Sequence, residues 1–229
     1  MILAWAVALA LPCGQGLGLR LEKGDVLSGE ILLRYSRGDF EMVYRDRIEW
    51  KVVAIGDDKK LTLERTRTNL ESKMDGQDLP FSTQKTVSTE QREATGTLVA
   101  GVGYQPLAVL RTDRALNIPA PRRGEGGGYR RLGEAVGNQL PSWTEEGKWR
   151  STSTVDGLAL DEVTTTWRER RDVGAQVAEG RWLIDPTTGW PASFSLTVTN
   201  APIPGGEGDL YRLEINYKTL AWPARLKRS

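Results

Sequence analysis

The chain has 229 residues, 39% of them hydrophobic and 27% charged, with 31 Lys and Arg against 30 Asp and Glu. That length suits one good-sized domain or two small ones, enough to bury a real core, and a net charge of +1 gives no electrostatic basis for binding nucleic acid. With no His and one Cys, His-based catalysis, His-ligated metals, an intramolecular disulfide and a Cys-rich metal site are excluded, and no cofactor is expected.

Residues 1–12 (MILAWAVALALP) are apolar and uncharged. Twelve residues reach about 18 Å as a helix, short of a bilayer core of about 30 Å, so no transmembrane span is expected here. The length matches the apolar region of an export signal, and Ala8-Leu9-Ala10 supplies a small-x-small cleavage pattern, although no basic residue precedes it. Residues 1–16 are therefore read as a leader, with the mature chain starting between Leu11 and Leu17, against the alternative of a buried N-terminal strand or helix. Cys13 raises the question of lipid anchoring, but Pro12 stands where a lipobox needs a small residue, which argues against an anchor.

From there the pattern has period two. Leu27, Gly29, Ile31, Leu33 and Tyr35 alternate with Ser28, Glu30, Leu32 and Arg34, which predicts a strand with one apolar face. Ser36-Arg37-Gly38-Asp39 supplies a turn. In 40–55 the even positions are Phe40, Met42, Tyr44, Asp46, Ile48, Trp50, Val52 and Ala54, against mostly charged odd ones. An unbroken strand of that length spans about 50 Å, which suits a curved sheet better than a small sandwich. Asp46 is the one acid on an apolar face. If buried it needs a partner or a raised pKa, and a bulge or bend is expected there. Residues 61–73 (LTLERTRTNLESK) are polar on both faces after Leu63, which predicts an edge strand or wet rim. Asp75-Gly76-Gln77-Asp78 is too short to argue for calcium.

Residues 119–129 (PAPRRGEGGGY) are rich in Pro and Gly and divide the chain, either as a linker or as a loop on one continuous sheet. Residues 130–140 (RRLGEAVGNQL) form the one helix candidate, weakened by two Gly. Asp185-Pro186-Thr187-Thr188-Gly189 separates strand 181–184 from strand 190–199. A Pro/Gly loop, 201–209, precedes the alternation of Tyr211, Leu213, Ile215 and Tyr217, and a basic tail, 223–229, is expected to fray. The expectation is an all-β fold: one domain, 17–222, built of hairpins as a large curved antiparallel sheet or open half-barrel with at most one short helix.

Several residues are candidates for function. Met42, Tyr44 and Trp50 lie on the row richest in aromatic and Met side chains, which suits an adaptable apolar ligand. Phe194 and Val198 are assigned to the core. Arg122, Arg123, Arg130 and Arg131 bracket the Gly-rich stretch and could hold an anion, against the plain alternative of a solvated loop. Trp143 and Trp149 flank the turn-like 144–148 (TEEGK), where an exposed pair beside carboxylates could form a sugar platform. No metal site and no nucleophile motif is present.

The segment 179–190 (EGRWLIDPTTGW) resembles a signature of exported bacterial proteins, in which a strand ends in Ile/Leu-Asp, a Thr-Gly turn follows and the next strand opens on an aromatic. Gly147-Lys148-Trp149 is similar to their Gly-x-Trp, residues 105–117 (QPLAVLRTDRALN) to the hairpin before it, and residues 21–25 (LEKGD) to their Leu-x-Lys-Gly-Asp. In this order the motifs resemble a secreted bacterial domain-of-unknown-function family. More loosely, they resemble the lipoprotein-localisation-factor half-barrels of the bacterial envelope. The resemblance covers most of 17–220 and implies an exported half-barrel that carries a hydrophobic ligand. It brings no catalytic residue, since neither group has a motif with a catalytic role.

Three functional classes follow. The first is an exported, periplasmic or extracellular, non-enzymatic envelope protein with a hydrophobic or lipid-like ligand in the sheet's concavity. The second is a structural or interaction module with a filled core. The third is a hydrolase using two carboxylates in an open cleft. The sequence leaves the oligomeric state open.

Overall fold

A computed structural model describes residues 17–80, 85–101, 117–124, 126–133, 142–170, 174–202 and 209–226. The leader, Cys13, most of the expected hairpin at 105–117 and positions 134–140 of the helix candidate lie outside them. The strands are β1 (Val26–Arg37), β2 (Phe40–Ile55), β3 (Leu61–Met74), β4 (Gln77–Asp78), β5 (Lys85–Arg92), β6 (Leu98–Gly101), β7 (Gly128–Gly133), β8 (Trp143–Val155), β9 (Leu158–Glu169), β10 (Val177–Ile184), β11 (Pro191–Pro202) and β12 (Leu210–Ala221).

All belong to one sheet in the spatial order β6-β5-β3-β2-β1-β12-β11-β10-β9-β8-β7, with β4 attached to β3. Every pairing is antiparallel, and the sheet is curved but not closed into a barrel. The expected all-β curved sheet is therefore what forms. The 119–129 stretch connects two parts of that one sheet. Two meanders are joined where the first strand pairs the last, from Gly29 opposite Thr219 to Ser36 opposite Arg212.

The inward face has an apolar centre. Leu27, Leu33 and Tyr35 of β1, Ile48 and Val52 of β2, Leu213 and Ile215 of β12, Val198 of β11 and Trp182 of β10 are essentially inaccessible. Side chains two apart share a face, so each strand contributes one coherent row. Aromatic rings link the rows: Trp50 meets Trp190 at 5.1 Å, Phe194 stacks on Tyr217 at 5.0 Å, and Trp182 lies 4.3 Å from Phe194. Val198 and Phe194 take their expected core positions, Phe194 partly buried against the cluster.

The flanks of the same face are polar. On one side Arg65, Glu90 and Arg92 are buried, with Glu90 accepting from Arg65 at 3.3 Å and from Arg92 at 2.8 Å. Here the structure corrects one expectation: 61–68 of β3 are not at an edge but lie between β2 and β5. Arg65, Asn69 and Ser72 of β3 are polar and buried. Asp46 is fully buried and accepts from Arg67 Nε at 2.9 Å and Asn69 Nδ2 at 2.6 Å. A bulge does sit beside it. Arg45 pairs Glu71 while Asp46 pairs Asn69, which leaves Leu70 as the extra residue. The bulge inverts the parity of β3, so Asn69 and Ser72, three apart, both point inward and hydrogen-bond at 3.0 Å.

Three further corrections concern the second half. Residues 130–133 of the helix candidate belong to β7, since Tyr129, Arg131 and Gly133 form an alternating inward row. Residues 144–148 are strand rather than turn, part of β8. Trp143 and Trp149 are not an exposed pair: Trp143 is buried beside Trp167, and Trp149 donates to buried Asp161 at 3.3 Å. The tail is also tied down as far as its 3-10 turn (Ala224–Leu226), where Arg225 binds Asp25 through three contacts of 2.9–3.2 Å.

Curvature brings Tyr217 of β12 directly over Gly29 of β1. A Cβ there would lie 2.5 Å from Tyr217 Cε2 and 2.7 Å from the Lys218 carbonyl oxygen. Gly29→Ala is expected to lower stability by about 1–3 kcal/mol, as overpacking does. Equilibrium urea unfolding measures it, and an unchanged midpoint would show that the ring does not need this close approach.

Candidate functional site

With β1 and β12 in the middle, the outermost strands among the described residues are β6 and β7. They approach through side chains and loops. Arg131 Nη2, on β7, donates to the Thr95 carbonyl at 2.7 Å in the β5–β6 turn and to the Ile118 carbonyl at 3.3 Å. The Ile118 amide donates to the Gly96 carbonyl at 3.3 Å. This seam holds an open cleft of about 450 Å³, lined by Glu93, Thr95, Thr97, Ala120, Tyr129, Arg131, Leu132 and Trp143. That volume lies within the ordinary range for small-ligand sites.

One wall of the cleft is apolar. Leu132 is 63% exposed, while Trp143 faces the cleft and also packs at 6.1 Å against Trp167, inside the core. The opposite rim is polar: Thr95 Oγ1 donates to Glu93 Oε2 and lies 3.1 Å from Thr97 Oγ1. Behind the rim Glu145 is buried. Tyr129 donates a very short hydrogen bond to its Oε1, Arg131 Nη1 approaches at 3.4 Å, and Asn117 Nδ2 stands 3.5 Å from Oε2. Burial pushes the Glu145 carboxyl above its ordinary value, opposed by Arg131, Tyr129 and Asn117. Burial, then the Glu145 charge, push the Tyr129 phenol up as well, so it serves as a donor and not as a nucleophile. Glu93 is the one acid among the cleft-lining residues. The arrangement can hold a small molecule with a polar end and an apolar end.

The sequence-derived candidates fall in different places. Trp50 joins the central aromatic chain, and its Nε1 is buried with no hydrogen-bond partner among the described residues. Met42 is buried, and Tyr44 is half-buried edge-on to Tyr35 at 6.4 Å. None of these three lines the seam cleft. Of the four arginines, Arg131 alone lines it. Arg123 Nε donates to fully buried Asp161 at 2.7 Å, clamping the Gly-rich stretch onto β9. Arg130 pairs Glu146 on the surface at 3.5 Å, and Arg122 is exposed. Tyr129, Glu145, Thr95 and Thr97 were not among the candidates. The signal for Tyr129 and Glu145 was the inward row Trp143, Glu145, Gly147 facing Gly133, Arg131, Tyr129, hidden by the helix reading of 130–140.

No family model and no curated protein matches the chain.

The raised Glu145 carboxyl sets a pH dependence. Its stabilising contribution is complete below the ordinary value of 4.5 and is lost as pH rises through the higher folded value. Glu145→Gln has no such loss, so its stability relative to the parent should rise from pH 4 towards neutral. Denaturant melts of both proteins across that range test this. A difference that is flat or falls with pH would mean that Glu145 is not desolvated.

Proposed function

We propose that this protein is an exported, non-enzymatic envelope protein that binds a lipid-like amphipathic ligand at the seam of its open half-barrel. The reading rests on one observation above all: Trp143 is at once a wall of the solvent-open cleft and a member of the continuous apolar core. An apolar chain entering beside Leu132 and Trp143 leaves water for a surface already contiguous with the interior, which is the main source of affinity for such ligands. Thr95, Thr97 and Glu93 at the rim suit a small polar head. Both oxygens of Glu145 are engaged behind the cleft, which favours binding over carboxylate chemistry. Export rests on the leader-like residues 1–16.

The second reading, a structural module with a filled interior, draws on Leu17, Leu19 and Leu21, which cover part of the inward face themselves. The two separate in native mass spectrometry of protein purified from an envelope fraction, followed by a palmitate titration read by Trp fluorescence. We expect a co-purifying lipid and saturable palmitate binding. Leu132→Asp, at an exposed site where folding tolerates a charge, should weaken that binding at least tenfold with an unchanged melting temperature. A protein that emerges free of lipid and shows no saturable binding is the structural module instead.

A further inference from the structure

Residues 17–22 run as an extended strap, alternating like a strand, and a turn at 23–24 closes it before β1. Leu17, Leu19 and Leu21 are 4%, 8% and 5% exposed and join the core, while Arg20 and Glu22 face water. Yet the strap belongs to no ladder. Its amides reach separate pieces of the molecule: Leu17 to the Pro121 carbonyl at 3.1 Å, Leu19 to Ala94 at 2.6 Å, Arg20 to Thr188 at 2.7 Å and Gly24 to Val52 at 2.8 Å. Isolated bonds of this kind open one at a time, without the cooperativity of a sheet.

Two of those anchors border the seam cleft. Ala94 stands between the lining residues Glu93 and Thr95, and Pro121 follows the lining residue Ala120. The strap is thus tied by its backbone to two of the segments that line the cleft, while its leucines belong to the same apolar core as the cleft-lining Trp143. Gly24, at the far end, has φ +92°, a conformation that other residues rarely adopt, which marks it as the point where the strap turns into β1.

A single side chain closes over the strap from the other end of the sequence. Arg225 Nε donates to Asp25 Oδ1 at 2.9 Å, and Nη2 donates to Asp25 Oδ2 at 2.9 Å and to the Arg20 carbonyl at 3.1 Å. Nη1 pairs Glu22 at 3.2 Å. Arg225 stands on a three-residue turn outside the sheet, so its grip can be lost without touching any strand.

We propose that Leu17, Leu19 and Leu21 are the resting occupant of the apolar part of the ligand site, that Arg225 is the latch that holds them there, and that an acyl chain entering from the seam cleft takes their place. The proposal rests on the amphipathic-ligand reading above. The strap and the acyl chain compete for one surface, so any change that favours the open strap raises apparent affinity by the same factor as the open population.

Hydrogen exchange of the full chain, read by mass spectrometry on peptides from 17–25 and from 213–219, tests it with palmitate as the probe. Saturating palmitate should speed exchange in 17–25 at least fivefold and leave 213–219 unchanged. Arg225→Gln should speed 17–25 without ligand and tighten palmitate binding about tenfold. Leu19→Ala, which weakens the competing strap without touching the latch, should tighten it too and stands in if Arg225→Gln fails to fold. Palmitate that binds saturably while 17–25 stays protected overturns the displacement and leaves the ligand reading standing. Faster exchange in 17–25 of Arg225→Gln with unchanged palmitate affinity overturns the competition. No saturable binding to the parent or to either variant overturns the ligand reading itself, and the proposal with it.

Discussion

The ladder between β1 and β12 governs this molecule. Nine residues of β1 face nine of β12, from Ser28 opposite Ala221 to Ser36 opposite Arg212. Pairing the first strand with the last puts both ends of the strand sequence at the centre of the sheet. The outermost strands among the described residues then come from the middle of the chain, at β6 and β7. An open sheet edge is a row of unpaired backbone donors and acceptors, which proteins cover or blunt. Among the described residues, Arg131, the β5–β6 turn and residues 117–121 meet across the gap. The cleft lies where this junction is made by side chains and loops.

The distribution of polarity follows from the same arrangement. Central strands are flanked on both sides and bury aromatic and aliphatic rows. Towards the edges the inward positions become charged: Asp46, Arg65 and Glu90 on one flank, Glu145, Asp161 and Glu169 on the other. Buried charges add little net stability even when paired, because desolvation offsets their attraction. They do penalise alternatives. A one-residue slip of β3 against β2 would separate Asp46 from both Arg67 and Asn69 and leave a buried carboxylate unpaired. Polar flanks of this kind hold register near an edge, where apolar packing is thinner.

Much of the fold was legible, and the misreadings have physical causes. The alternation in 27–35, 40–55 and 211–217 revealed strands whose inward rows are as expected, because each has one face against the core. β3 read as wet on both faces because the bulge at Leu70 reverses its parity and because its inward residues are paired ions. Residue type reports polarity; it does not report whether a partner waits on the next strand. β7 read as a helix because six residues with two glycines carry too short a period to decide. The cleft was illegible for a different reason. Its walls come from 93–97, 120, 129–132 and 143, and their adjacency depends on a roll of the whole sheet that no local pattern encodes.

Asp25 and Arg225 are 200 residues apart in the chain and in direct contact. A nascent polypeptide emerges from the ribosome in order, so β1 has no central neighbour on one side until β12 has been made, and Asp25 waits still longer for Arg225. Contacts of such long range are slow to form and appear late in folding. The two meanders can assemble singly as hairpins, but the sheet that unites them waits for β12. This wiring is a built-in delay: β12, the strand that joins the two halves, is the last of the twelve strands to be made.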